Sequence, residues 1–181
     1  MLHTIIAYVE DKPGVLNRVA SLFRRRAFNI ESLAVGQTHI PGVSRMTIMV
    51  EAAEEGTARR IEANLYKLVN VLRVEDLTHK EAVERELALI KVKADSARRN
   101  EIVQIADIFR ANILDAAPNM LMLEITGTVE KVNRLLGMLD PFSIIEVQRT
   151  GVVAMLRGGD EASSNLPMAT GGKNGQPPAG D

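Results

Sequence analysis

Asp11-Lys12-Pro13-Gly14-Val15-Leu16-Asn17-Arg18-Val19 is the stretch on which the reading of this chain turns. It lies between a strand-like run over residues 2–9 (Leu-His-Thr-Ile-Ile-Ala-Tyr-Val) and a helical pattern that continues to about residue 26. Val15, Leu16, Val19, Leu22 and Phe23 recur at the spacing of one apolar helix face. Arg24, Arg25 and Arg26 close that helix, where cations favour the negative end of its dipole. Pro13 is expected in the first helical turn, where its missing N–H costs nothing. Gly14 leaves the entrance bare of side-chain atoms, so a ligand could reach the backbone. The first N–H groups of a helix lack internal partners and carry partial positive charge, which suits a carboxylate. Alone, these nine residues also describe an ordinary strand-to-helix turn, so the rest of the chain has to decide.

Outward from there, residues 28–37 and 43–50 read as strands, joined through His39-Ile40-Pro41-Gly42 with its Pro-Gly turn signal. Residues 57–68 read as a helix with Ala58, Ile61, Leu65 and Leu68 on one face, and residues 71–77 as a fourth strand. The order is βαββαβ, which folds into a four-stranded antiparallel sheet with both helices on one face, the ferredoxin-like arrangement. The opposite face of such a sheet needs a cover, and its Ile, Val, Leu and Met content suits a second copy of the chain.

A charged stretch, 78–86, reads as a linker, after which the pattern returns. Residues 87–92 and 120–125 are strand-like, and helical spacing links Ile102, Ile105, Ala106 and Phe109, then Val129, Val132, Leu135, Leu136 and Leu139. Residues 144–147 and 152–156 close the set. Leu22-Phe23-Arg24 and Ile108-Phe109-Arg110 are expected at equivalent places near the ends of the two first helices. The second copy has Asp95-Ser96-Ala97-Arg98-Arg99 in place of the Pro-Gly entrance, so it is not expected to hold the same ligand. The fold class is therefore α+β: a βαββαβ domain over residues 2–78, a related domain over 79–157, and a Gly/Ser/Asn/Pro-rich, disordered tail over 158–181.

Composition narrows the chemistry. Apolar residues make up 46% and aromatics 3%, so the cores are built from Ile, Val, Leu and Met. A net charge of −1 gives no reason to expect nucleic acid or an anionic membrane. There is no cysteine, which removes disulfides, thiolate chemistry and Cys-ligated zinc, and fits a cytoplasmic protein. No signal peptide or membrane-spanning run is evident. His3, His39 and His79 are scattered without metal-ligand spacing, and no Walker A loop, GxGxxG or nucleophile constellation is present, so no catalytic residue and no metal site is expected. RNA-binding domains of this topology stack bases on strand aromatics, yet the expected central strand, Val43-Ser44-Arg45-Met46-Thr47-Ile48-Met49-Val50, has none. A small-molecule or protein-binding module remains.

At this point the entrance motif resembles the ligand loop of ACT domains, amino-acid-sensing modules that pair through their sheets. Phe28-Asn29-Ile30-Glu31-Ser32-Leu33, Ser44-Arg45-Met46-Thr47-Ile48, Leu68-Val69-Asn70-Val71-Leu72-Arg73-Val74, Val83-Glu84-Arg85-Glu86-Leu87 and Arg149-Thr150-Gly151-Val152-Val153 extend the likeness to one family, the small regulatory subunits of acetolactate synthase (acetohydroxyacid synthase). The likeness runs from residue 2 to residue 157. It implies a homodimer without an active site of its own, a regulatory part of a transferase complex. Its partner would be a catalytic large subunit carrying thiamine diphosphate, FAD and Mg²⁺, which condenses two pyruvates or pyruvate with 2-oxobutyrate. The small subunit would activate that enzyme and confer feedback inhibition by valine, with leucine or isoleucine effective in some members. Carried onto this chain, the effector site involves Asp11, Gly14 and Asn29, with Val15, Leu16 and Ile30 nearby. Some members have Asn where this chain has Asp11; a carboxylate there still holds an ammonium group. The alternative is a free-standing ACT-type sensor acting on another enzyme or on a transcription factor.

Overall fold

A computed structural model describes residues 1–51 and 56–158. The expected tail lies outside the described residues, apart from Gly158. Two sheets are present. The first is built by β1 (Leu2–Glu10), α1 (Val15–Arg25), β2 (Asn29–Gln37), β3 (Val43–Glu51), α2 (Thr57–Leu65) and β4 (Val71–Asp76), in the strand order β2-β3-β1-β4. The second is built by β5 (Ala82–Lys93), α3 (Arg99–Phe109), β6 (Asn112–Ala117), β7 (Met120–Gly127), α4 (Val129–Leu139) and β8 (Ile144–Arg149), in the order β6-β7-β5-β8. A short β9 (Val153–Leu156) pairs with the beginning of β5. All of these pairings are antiparallel, which is the ferredoxin-like, ACT-like architecture twice over. No helix among the described residues is long and apolar enough to cross a membrane.

The helices cover one face of each sheet because the strands alternate. Ile5, Ala7 and Val9 of β1 meet Met46, Ile48 and Val50 of β3 under Val19, Phe23 and Ile61. Ala88, Ile90 and Val92 of β5 meet Leu121, Leu123 and Ile125 of β7 under Ile102, Val132 and Leu135. Apolar side chains one turn apart on each helix thus drop onto the strand residues of one parity.

Four expectations change. The linker stretch is strand from Ala82 onward, and Glu84 and Glu86 are drawn in by partners remote in sequence: the Thr4 hydroxyl donates to Glu84 at 3.0 Å, and Arg149 pairs with Glu86. An unforeseen edge strand, β6, completes βαββαβ in the second half; it is almost wholly exposed, so it has no apolar alternation to betray it. The helix matched to residues 57–68 ends at Leu65. The repeat also aligns differently. The chain leaves α1 through the left-handed Ala27 (φ 54°), with Phe28 N–H donating to Phe23 C=O, and leaves α3 through the left-handed Arg110 (φ 52°), with Ala111 N–H donating to Ala106 C=O. Phe23 therefore corresponds to Ala106, not Phe109.

The cover of the first sheet's far face also departs from expectation. Ile6, Tyr8, Val43 and Leu77 pack against Ala154, Ala82 and Leu156 of the β5/β9 ribbon, so the chain covers that face itself. Polar contacts fix the ribbon. The Arg45 guanidinium lies 5.7 Å from the Tyr8 ring centroid and donates to the Ala154 carbonyl, while Val152 N–H donates to the Ser32 hydroxyl at 3.0 Å. What remains open in the first sheet is its edges.

Candidate functional site

β1 delivers the entrance loop, and buried polar groups hold it. Glu10 and Asn70 are each 7% exposed. The Asn70 amide donates to Glu10 at 2.5 Å and accepts from Arg18 of α1 at 2.6 Å; Lys12 Nζ donates to Glu10 at 3.1 Å. Asp11 N–H donates to Gly42 C=O at 2.8 Å, tying the loop to the β2–β3 turn. A buried polar network with its members paired is rigid.

The helix begins at Val15, so Pro13 sits in the preceding turn rather than in the first helical turn. The reason is Gly14, whose φ of 84° is left-handed and ends the helical backbone there. No side chain caps this helix, and its first turn has no acidic residue. Val15 N–H donates to Lys12 C=O at 3.3 Å, whereas the N–H groups of Gly14, Leu16 and Asn17 have no partner among the described residues. A Cβ at Gly14 would meet no atom within 4 Å, so the loop is open on that side. Unopposed donors at a helix start favour an anion.

The other site residues fall in two places. Asp11 is exposed beside the entrance, and its carboxylate accepts from Gln37 Nε2 at 2.9 Å. Leu16 is 45% exposed, while Val15 is 4% exposed and belongs to the core. Asn29 and Ile30 begin β2, whose other end is Gln37. At about 3.3 Å per residue the two ends of that strand are roughly 26 Å apart. One chain therefore brings Asp11, Gly14 and Leu16 together and leaves Asn29 and Ile30 remote. Ile30 lies on the helix side of the sheet, as Gln37 does; a bulge at Glu31 puts Asn29 on the other face, where its amide donates to Glu31.

The second half differs in kind. Asp95 Oδ1 accepts from the N–H groups of Ala97 and Arg98 at 3.1 and 2.9 Å, filling the start of α3 with the chain's own carboxylate. At α4, Thr128 caps the helix, and its hydroxyl accepts from Lys131 N–H at 3.3 Å. The Glu130 carboxyl is held below its usual range by its own backbone N–H and then by Thr128. Among the described residues no group of three or more His, Asp or Glu is placed to hold a metal.

Gln37, Arg18 and Asn70 are members of this site that the sequence reading does not single out. Arg18 lies on the exposed face of α1 and shows as a surface charge. Gln37 and Asn70 act through partners 26 and 52 residues away, which no local pattern reveals.

The likeness to known proteins follows the same division. The family model described as "AHAS small subunit-like ACT domain" matches residues 5–73, and that described as "Small subunit of acetolactate synthase" matches residues 85–158. The acetolactate synthase small subunit of Mycobacterium bovis is 48% identical over 156 residues, 86% of this chain and 92% of that protein. A probable acetolactate synthase small subunit of Archaeoglobus fulgidus is 47% identical over 158 residues, 87% of this chain and 98% of that one. The crystal structure of the small subunit from Thermotoga maritima superposes with a TM-score of 0.82 at 42% identity, covering 88% of this chain and 99% of its own. Family models that match both halves, and relatives at 47–48% identity over most of both chains, show that the chain belongs to the acetolactate synthase small-subunit family.

Proposed function

We propose that this chain is the non-catalytic regulatory subunit of a cytoplasmic acetolactate synthase. It binds a thiamine-diphosphate-dependent large subunit, raises its activity, and makes it sensitive to a branched-chain amino acid, valine first and leucine or isoleucine next. Thiamine diphosphate, FAD and Mg²⁺ belong to the large subunit in this reading; this chain contributes the sensor. The observation that carries it is the open, uncapped entrance of α1 with its unpartnered donors and the Asp11 carboxylate alongside.

The effector's carboxylate lies on the N–H groups at the start of α1, and its ammonium meets Asp11, which Gln37 keeps in place. Its side chain needs an apolar wall that one chain does not supply. A second copy does, through the edge of β2. At the other edge, the Tyr66 hydroxyl accepts from Val74 N–H at 3.0 Å and so occupies the free side of β4, which argues against pairing there. Antiparallel pairing of two β2 strands about a two-fold through Leu33, with Glu31 left out in its bulge, sets Ile30 of one opposite Val35 of the other, on the face that also carries Gln37. Ile30 of the partner subunit then walls the effector, and Asn29 of the partner subunit reaches it from the strand's start. A dissociation constant of about 10–100 μM requires roughly −5.5 to −7 kcal/mol, well within reach of a ligand of valine's size.

Inhibition follows if the effector favours one arrangement of the dimer and the large subunit the other. The test is calorimetry of the full chain with valine, leucine and isoleucine, alongside acetolactate formation by the complex reconstituted with the large subunit. Binding of one amino acid per β2 seam end, with inhibition over the same concentrations, is the expected result. A chain that binds none, or that fails to capture or activate the large subunit, would overturn the reading.

A further inference from the structure

β2 borders two things at once. Its first residues, Asn29 and Ile30, stand at the seam proposed above. Two residues on, its outward face meets the segment between β8 and β9 at backbone distance. Gly151 has a φ of 80°, and a Cβ there would lie 2.8 Å from Ser32 Oγ and 3.4 Å from the Leu33 carbonyl oxygen. Ser32 Oγ also accepts from Val152 N–H at 3.0 Å. Only the Ser32 hydroxymethyl group lies between the two backbones, so a shift of β2 is passed to residues 150–152 through its hydrogen bond to Val152 N–H.

The far side of that segment is anchored in the second sheet. Thr150 N–H donates to Leu87 C=O at 3.1 Å, and its hydroxyl accepts from Leu87 N–H at 3.1 Å. The preceding residue, Arg149, donates to both oxygens of Glu86, and to Asn133 of α4 at 2.9 Å. Beside the contact a cleft of about 640 Å³ separates the two halves, lined by Glu31 and Glu51 on one wall and by Val129 and Arg149 on the other. The halves thus meet at Ser32 and Gly151 as well as along the β5/β9 ribbon, with an open cleft beside the first of these contacts.

We infer that Ser32 and Gly151 couple the effector seam to the second sheet, so that the effector's effect on the large subunit passes through this contact. The inference rests on the proposed effector site and adds the route by which that site is read. Neither residue touches the effector; both act through β2.

Ser32→Ala removes the hydrogen-bond acceptor without adding bulk, and Gly151→Ala drives a Cβ into the Ser32 hydroxyl at a φ of 80° that favours glycine. For each full-length variant, valine affinity is measured by calorimetry, and the reconstituted complex is assayed for activation and for valine inhibition. The expected result is an affinity of the free chain within about threefold of wild type, retained activation, and a coupling between effector and large subunit reduced by about tenfold, larger for Gly151→Ala. Should Gly151→Ala fail to fold, Ser32→Ala decides. Unchanged inhibition in the folded variants overturns the coupling, and so does a loss of affinity that matches the loss of inhibition. If the wild-type chain itself takes up no branched-chain amino acid, the effector reading fails and the coupling with it; wild-type binding beside unaltered variants removes the coupling alone.

Discussion

Replacing Gly14 by Asp tests the proposed effector site apart from the fold that carries it. At this position φ is 84°, where an L-residue costs about 1–2 kcal/mol, with Asp near the low end because it visits this region more readily than most. No atom lies within 4 Å of the new Cβ, so no overlap is added. Against a typical stability of about 5–15 kcal/mol the variant stays folded. Binding suffers differently. The new carboxylate sits at the entrance with the open N–H groups, on which the proposed effector's carboxylate would lie. Two like charges about 4 Å apart repel by roughly 1 kcal/mol in water and about 4 kcal/mol at an effective dielectric of 20. The entrance is exposed, so a value between these limits applies, and the donors are in addition already occupied. A loss of about a hundredfold in affinity is expected, equivalent to about 2.7 kcal/mol. Gly14→Ala is the control: it bears a similar backbone cost without charge and should keep binding within about tenfold. Calorimetry gives the affinities, inhibition curves of the reconstituted complex give the regulatory effect, and urea unfolding reports the fold. Inhibition of the Asp variant at the wild-type valine concentration would refute the placement of the carboxylate.

Three further outcomes are expected. Arg149→Ala leaves Glu86, whose side chain is 2% exposed, as a buried carboxylate without its bidentate partner, and should cost about 3 kcal/mol; a denaturation midpoint within error of wild type would contradict this. Ala27→Gly relieves a left-handed residue at φ 54° and should stabilise by about 0.5–1 kcal/mol, so an unchanged or lower midpoint would count against strain there. The Glu130 carboxyl is held below its ordinary value of 4.5 in the folded chain, so its contribution is complete above that pH and disappears as pH falls through the depressed folded value. Glu130→Gln should therefore flatten the acid limb of the stability profile at and below its ordinary value of 4.5, and a limb of unchanged slope would show that the interaction has no consequence.

The parts of the fold that could be read from sequence are those whose pattern is local. β1 and β3 declare themselves through β-branched and apolar runs, and α1 through Val15, Val19, Leu22 and Phe23. Failures came where tertiary partners decide. Glu84 and Glu86 read as linker charges because Thr4 and Arg149, which hold them, lie 80 and 63 residues away. β6 offers no buried parity, since it is an edge strand with five of its six residues exposed. Within the candidate site, a strand-to-helix turn with a bare Gly14 could be read from the sequence, but the Gln37 contact to Asp11 and the Asn70 bridge to Arg18 exist only once the sheet has closed. Whether Asn29 joins Gly14 is a question about two chains, and a pattern within one chain carries no answer to it.

β5 is a single unbroken strand of twelve residues that serves both halves, backing the first sheet at its start and forming the interior of the second further on. A protein engineer who transplanted only the first 78 residues as a ready-made amino-acid sensor would strip Ile6, Tyr8 and Leu77 of the layer that shields them from water. Such a graft should be sticky and poorly behaved whatever happens at its ligand loop. The proposed detector and transmitter are cut from one piece of cloth, and any useful excision has to carry the ribbon along with the sheet.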